Sequence, residues 1–417
     1  MNSIIASIAT GVGLVVSYYW IASSKKIAEL MALKAPIKIV IIGASFGGIG
    51  AAKLLEKKCG SYNVEITMID EKEEFYFIIG AFRAMVENGF ARKLWIPRDR
   101  LFKDKKHKVV NASVKDVRKN EVILESGETV AFDYLMVSSG LSYPTPIDTQ
   151  SLNKKTGIRI AEETIEAIKG AKDVLIVGGG CNGIELAGEI ADDFPEKKVT
   201  LIHSRDKLLP GNVSDRCRSQ AHKSLTKRGV EVVFNERLIF SQEDLTKTHY
   251  TRRAWTSTSG RVFETDIQFL CFGADPNSSF LKNLDGKYGG VLEEKSRLIK
   301  VLPTMQLESS ELAHIFAAGD VCNMWSEKLA GIAYRQGTIA ADNIFKLILQ
   351  QVGKPMQKLS RFRAPMQMIS FSVGRTGGVA QIGFIVVGDF ITSIFKKDVG
   401  VAKFWRFFGY ELSHSAH

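Results

Sequence analysis

Apolar runs of strand length, each followed by glycines and a helical pattern, occur twice in the chain and predict its main elements. Residues 37–42 (Ile-Lys-Ile-Val-Ile-Ile) are apolar except at Lys38, as a strand buried on both faces of a parallel sheet should be. A tight turn at Gly43, a helix opened by Gly47 and Gly48, and a second apolar run at 64–69 follow. The succession returns at 173–190, with a Val/Leu/Ile strand, Gly178, Gly180 and Gly183, a helix, and then a strand at 199–202. Strand, glycine turn, helix, strand is the βαβ unit, so two parallel sheets are expected. Between the units, residues 107–135 alternate around turns at Lys119-Asn120 and Ser126-Gly127, which predicts a small β-meander. Strand-like runs recur at 230–234, 251–257 and 267–277, and a last apolar strand runs into Ala318-Gly319-Asp320.

The two ends differ from this pattern. Residues 1–24 carry no charged side chain, and Tyr18, Tyr19 and Trp20 stand just before Lys25 and Lys26. That is roughly the 20-residue apolar length and aromatic belt of a membrane span, with the positive charge that keeps the body cytosolic. A signal anchor is expected, at the mitochondrial outer membrane, with the endoplasmic reticulum or lipid droplets as alternatives. Near the other end, Val401, Phe404, Trp405, Phe408 and Leu412 share one helical face, opposite Lys403, Arg406 and Tyr410. Such a helix suits a membrane interface or packing on a core.

With 417 residues there is room for two or three domains, and 36 glycines against 10 prolines suit an α/β protein. A net charge of +11 favours anionic cofactors or lipid surfaces. No dense basic run is interleaved with aromatics, which argues against nucleic acid. Five scattered cysteines form no C-x-x-C pair, so reduced thiols are expected rather than a redox disulfide. The one close histidine pair, His414 and His417, stands at the terminus, and no metal site is expected.

A glycine turn that opens a helix offers backbone N–H groups to a pyrophosphate. In the first unit that turn is Gly43, Ala44, Ser45, Phe46, Gly47 and Gly48, with Ser45 where the fingerprint's second glycine belongs. Asp70 lies where an acid meets the ribose of a bound dinucleotide. The second unit has all three glycines, but its second strand ends in His203-Ser204-Arg205. A carboxylate there would repel a 2′-phosphate, whereas Ser204 and Arg205 suit holding one, so NADPH is expected to serve beside NADH. The alternative is a surface arginine. Arg83, the one arginine in the apolar stretch 74–87, reads either as a core residue or as a cofactor-side wall. Asp320 is expected at the N-terminus of a further helix, and Gly140 ends a strand before a Pro144/Pro146 linker.

Two such units before Ala-Gly-Asp resemble the apoptosis-inducing-factor-like group of two-dinucleotide-binding-domain flavoproteins, relatives of the type II NADH dehydrogenases. The likeness spans about residues 36–410 and is carried by IIGASFGGIGAA, AFRAMVE, IVGGGCNGIELAGEI with FPEKKVTLIHS, AAGD and SVGRTGGVAQIGF. It implies an α/β fold with two Rossmann-like domains: an FAD domain at 36–150 and 264–350, and an NAD(P)H domain inserted at 151–263. An N-terminal hydrophobic helix at 1–30 and a small C-terminal α+β segment at 355–417 complete it. It also implies hydride transfer from NADH or NADPH to FAD, and then two electrons to a ubiquinone-like membrane quinone. A reductase of a small electron-transfer protein and a weakly catalytic NAD(H)-sensing protein are the alternatives, and a homodimer is among the expectations.

Residue by residue, the likeness sets Gly43 to Gly48 against the FAD pyrophosphate, Asp70 at the adenosine ribose and the Val110 backbone at adenine. Arg83, Gly140, Gly319 and Asp320 complete the FAD contacts. Gly178, Gly180 and Gly183 take the NAD(P)H pyrophosphate, with Ser204 and Arg205 beyond. Glu185 stands near the nicotinamide–flavin contact, and Lys396, or its neighbour Lys397, is the flavin-side lysine. Tyr76 and Phe77 replace two histidines of the relatives, and Asn2 stands where N-myristoylation requires glycine.

Overall fold

The computed structural model describes residues 35–144, 151–211, 213–241, 243–245, 248, 250–366, 368–389 and 399–412. The anchor expected at 1–30, Lys396 and Lys397 therefore lie outside the described residues. Among the described residues, no helix is long and apolar enough to cross a membrane.

The first unit folds as β1 (Ile37–Ile42), α1 (Phe46–Cys59) and β2 (Val64–Asp70). β3 (Lys108–Asn111) follows, then a three-stranded antiparallel meander and β4 (Tyr134–Val137). After α2 (Lys154–Gly170), capped by the Asn153 side chain, the second unit runs through β5 (Asp173–Val177), α3 (Cys181–Asp193) and β6 (Lys198–Ile202). α4 (Asp215–Lys227), β7 (Glu231–Val233), a hairpin of Arg253–Thr256 with Val262–Thr265, and β8 (Ile267–Leu270) complete it. The chain returns with β9 (Ile315–Ala317) and α5 (Ala330–Gln351). It ends with β10 (Met368–Val373), β11 (Gly377–Ile382), β12 (Ile385–Val387) and α6 (Val401–Phe407).

Both sheets are parallel and built alike, in the order β9-β4-β1-β2-β3 for the first and β7-β6-β5-β8 for the second. Each glycine turn thus lies at the carboxyl end of a central strand, the topological switch point where open α/β sheets take ligands. Ile39 to Ile42 are at most 4% exposed, and burial of such side chains stabilises by about 1.5–3 kcal/mol each. Small residues let α1 and α5 touch backbone to backbone, and a Cβ on Gly337 would overlap the carbonyl oxygen of Gly47. The second sheet takes in β8, so the inserted domain extends past the expected limit of 263. The return crossing is a two-residue antiparallel pairing of Leu141–Ser142 with Asp275–Pro276.

Of the two readings of the aromatic C-terminal helix, the structure takes the core one. Phe404 of α6 lies 5.3 Å from Phe46, 6.0 Å from Phe75 and 4.8 Å from Phe77, ring centre to ring centre. The Trp405 indole donates to the Lys93 carbonyl at 2.8 Å, and Val401 and Phe408 are 1% exposed. The interfacial reading fails because this face already has an apolar partner in the first domain.

Candidate functional site

The two units repeat the same backbone constraints at their turns. Gly43 and Gly178 both adopt positive φ, at +96° and +121°, a region that only glycine enters freely. A Cβ on Gly48 would overlap the carbonyl oxygen of Gly43, and one on Gly183 would overlap that of Gly178. The third glycine is therefore a packing necessity in both. The second is not: Gly180 has an ordinary φ of −81° and nothing within 4 Å of a built Cβ. Ser45 occupies the same place at φ −98°, exposed, with no capping hydrogen bond from its side chain. Its hydroxyl stays available at the helix N-terminus beside Ala44 and Phe46.

The residue that ends the second strand also plays one part twice. Asp70 Oδ2 accepts from the Ala44 N–H at 2.6 Å, and His203 Nδ1 accepts from the Gly179 N–H at 3.1 Å. Each side chain ties its strand to the N–H just after the first glycine. Asp70 Oδ1 accepts from the Lys72 N–H at 2.9 Å and lies 3.1 Å from Arg98 Nη1. A carboxylate offers about four acceptor positions, so the two N–H donors leave Asp70 about two, on the side of Arg98, for a ribose hydroxyl. Val110 pairs with Ile69 on the neighbouring strand, which brings its backbone beside this acid. In the second unit, burial, reinforced by Arg205, holds the His203 pKa below its ordinary value. Accepting at Nδ1 places the hydrogen of the neutral ring on Nε2. That buried nitrogen makes no well-formed hydrogen bond among the described residues, although the Lys207 backbone acts on the ring. A ribose hydroxyl would satisfy it. Ser204 and Arg205 are exposed on the adjoining loop.

Asp320 stands on the turn after β9, and α5 opens ten positions later at Ala330, so it does not cap a helix as expected. Its neighbour Gly319 lies close to the first turn. Gly319 donates its N–H to Gln336 Oε1 of α5 at 2.8 Å, and a built Cβ on Gly319 would lie 3.7 Å from Ser138 Oγ. The same Ser138 hydroxyl crowds the Cβ position of Gly47. Gly47, Ser138, Gly319 and the start of α5 thus form one cradle free of bulk, which fits the pyrophosphate and ribityl portion of FAD. Burial pushes the Asp320 carboxyl up, opposed by Lys328, whose ammonium donates to the Asp320 carbonyl at 2.9 Å. Gly140, at φ +71°, accepts from Asn277 N–H at 3.1 Å where the two domain crossings meet.

Arg83 is not arranged as expected. Its Nε and Nη2 donate to Glu189 of α3 at 2.6 and 2.8 Å, and it is 3% exposed. The guanidinium fork is spent on joining the first domain to the second rather than on a flavin contact. Burial raises the Glu189 pKa, and Arg83 opposes that rise. Nearby, Arg375 binds Asp193 at 2.6 Å and Glu87 at 2.8 Å, so the β10–β11 turn is clamped to both domains. Glu185, in the first turns of α3, accepts at Oε1 from the Ser372 N–H and hydroxyl at 2.9 and 3.0 Å. The C-terminal sheet therefore fixes the orientation of this acid at the rim of the second glycine turn.

A profile of the pyridine nucleotide-disulphide oxidoreductases matches residues 37–337. The chain belongs to this family. Ferroptosis suppressor protein 1 of Homo sapiens is 29% identical over 374 residues, 89% of this chain and 95% of that relative. Apoptosis-inducing factor homolog A of Dictyostelium discoideum is 30% identical across 87% of this chain and 89% of its own. Among solved structures, the sulfide:quinone oxidoreductase of Aquifex aeolicus superposes with a TM-score of 0.66 at 14% identity, covering 89% of this chain and 90% of that one. At that identity the likeness speaks to the fold alone. As a pyridine nucleotide-disulphide oxidoreductase of the apoptosis-inducing-factor-like kind, the chain is an oxidoreductase that uses FAD and NAD(P)H. Its cysteines form no C-x-x-C or C-x-x-x-x-C pair. All five cysteines are unpaired, and burial pushes the Cys59 and Cys217 thiols up to about 12 and about 11.

Several residues of the site carry no sequence signal. Ser138, Gln336 and Asn277 join it only through contacts between distant segments, and Ser372 reaches Glu185 across 187 positions. Arg98 sits in no motif, yet it is 5% exposed beside Asp70, and its Nε has no hydrogen-bond partner among the described residues.

Proposed function

We propose that this oxidoreductase passes two electrons from NADH or NADPH, through FAD on the first unit, to a lipid-soluble quinone. The observation that carries the acceptor is an apolar cavity of about 170 Å³ lined by Trp325, Ser326, Glu327, Ile332, Pro365 and Met368, among others. One hydrogen-bonded path joins it to the FAD cradle, because Gln336 donates to Ser326 Oγ at 3.2 Å and accepts from Gly319 N–H at 2.8 Å. Apolar walls with a few polar atoms suit a flat quinone ring. FAD supplies the hydride-accepting, two-electron chemistry. The chain's own groups bind and orient: the two turns hold pyrophosphates, Asp70 and His203 meet the riboses, and Glu185, fixed by Ser372, positions the nicotinamide.

Ala364 lines the same cavity, and Ala364→Trp would fill much of it. The ratio of ubiquinone-analogue turnover to ferricyanide turnover, measured with NADH, is then expected to fall by at least about 10-fold. An unchanged ratio would place the acceptor elsewhere, and no quinone turnover by the FAD-loaded protein would end the quinone reading.

The His203-Ser204-Arg205 end of β6 supports use of both nicotinamide cofactors. A charge-assisted hydrogen bond to phosphate contributes about 1.5–3 kcal/mol. Arg205→Asp should therefore lower kcat/KM for NADPH by roughly 10- to 100-fold while changing that for NADH much less. Equal losses with both cofactors would return Arg205 to the ordinary surface.

A further inference from the structure

The C-terminal sheet carries an apolar row that stands exposed among the described residues. Met368, Ile382 and Ile385 are directly opposite one another on β10, β11 and β12, and are 38%, 57% and 57% exposed. The turn between β11 and β12 is Gly383-Phe384, and Phe384 is 87% exposed where hairpin turns normally carry polar residues. Met366, 67% exposed, lies against Gly383, and Trp325, 77% exposed, faces Met368 across the mouth of the cavity. These side chains form one contiguous exposed patch of a kind that marks an interaction surface.

The segment that leads into and through it is basic. Residues 343–388 hold six Lys or Arg and no Asp or Glu. Lys354, Lys358, Arg361 and Arg363 are exposed on the strap that leads into β10, and Arg335 of α5 lies over the Phe362 ring of that strap at 5.7 Å. Protruding aromatic and aliphatic tips joined to a basic strap are complementary to an anionic bilayer, whose headgroups attract the cations while its acyl boundary takes the tips.

We propose that the Phe384 hairpin and the basic strap form a docking surface for anionic lipid bilayers, separate from both chain termini. The Phe384 side chain and its apolar neighbours enter the acyl boundary, and the strap arginines and lysines remain at the headgroups. This sets the cavity mouth, through Trp325 and Met368, toward the membrane. Docking itself does not depend on the acceptor; only its consequence for quinone turnover rests on the quinone reading.

Phe384→Trp in the full FAD-loaded chain tests it, on vesicles of phosphatidylcholine and phosphatidylserine with and without brominated acyl chains. The emission added by Phe384→Trp should fall by at least about two-fold on the brominated vesicles, and the loss should lessen as salt rises. Added emission that brominated lipid leaves unchanged, in protein that floats with the vesicles, overturns the proposal. So does a lipid-free dimer, seen by light scattering, that Phe384→Asp converts to monomer, because the row would then pair two copies. Phe384→Asp should also slow turnover of a long-chain quinone held in vesicles by about 10-fold, yet leave a water-soluble short-chain quinone unaffected. Quenching retained with no turnover of either quinone would uphold docking and overturn the acceptor assignment.

Discussion

Gly183→Ala is expected to leave FAD bound and to lower kcat/KM for NADH by at least about 100-fold, or about 2.7 kcal/mol of transition-state stabilisation. Gly48→Ala is expected instead to yield protein depleted of FAD. The two substitutions are sterically the same, since each new Cβ overlaps the carbonyl oxygen of the first glycine in its own turn. The backbone must move, and a displacement of about 1 Å at a cofactor is enough for a loss of that size. Because the insult is identical, the different outcomes report which cofactor each unit holds. Flavin absorbance after purification and stopped-flow bleaching by NADH read them separately. Rapid bleaching in Gly183→Ala would sink the assignment of NAD(P)H to the second unit.

Arg83→Met is expected to destabilise the fold by about 3–5 kcal/mol, because it leaves the Glu189 carboxylate buried without its partner. The double variant Arg83→Met with Glu189→Leu should recover most of that loss, since an apolar pair needs no compensating charge. The effect should also depend on pH. Burial already raises the folded-state pKa of Glu189, and without Arg83 it rises further. A carboxyl whose folded pKa exceeds its unfolded one contributes stability at low pH, which is lost as pH climbs through the folded value. The deficit of Arg83→Met should therefore be smaller near about pH 5 than near about pH 8, as denaturant unfolding at the two values would show. Loss of flavin without loss of stability would return Arg83 to the cofactor contact that the family likeness implied.

The two glycine units were legible because each is local. An apolar strand, a turn that only certain residues can make and a helix opening on it lie within about 30 residues. The equivalence of Asp70 and His203 was half legible. Their positions follow from the strand ends, but only the hydrogen bonds to Ala44 and Gly179 show one structural task carried out by two chemistries. Ser45 looked like a defect in the pattern. The conformation it shares with Gly180 shows that the chain's own packing places no steric demand on the second position.

Arg83 and the aromatic tail each admit two readings from sequence for one physical reason. A lone cation in an apolar run, or an aromatic face on a helix, reports only that the side chain needs a partner, and several kinds of partner meet that need. Glu189 lies 106 positions from Arg83, and Phe46 lies far upstream of Phe404. The sequence by itself determined the order of strands and helices, the two glycine turns and the dinucleotide class of cofactor, because these depend on local periodicity and backbone sterics. Tertiary structure alone decided that Arg83 joins the domains, that α6 packs on the first of them, and that Phe384 stands exposed among the described residues. Each of these follows from which distant surface is at hand to bury a charge or a ring, and that is a property of the folded chain as a whole.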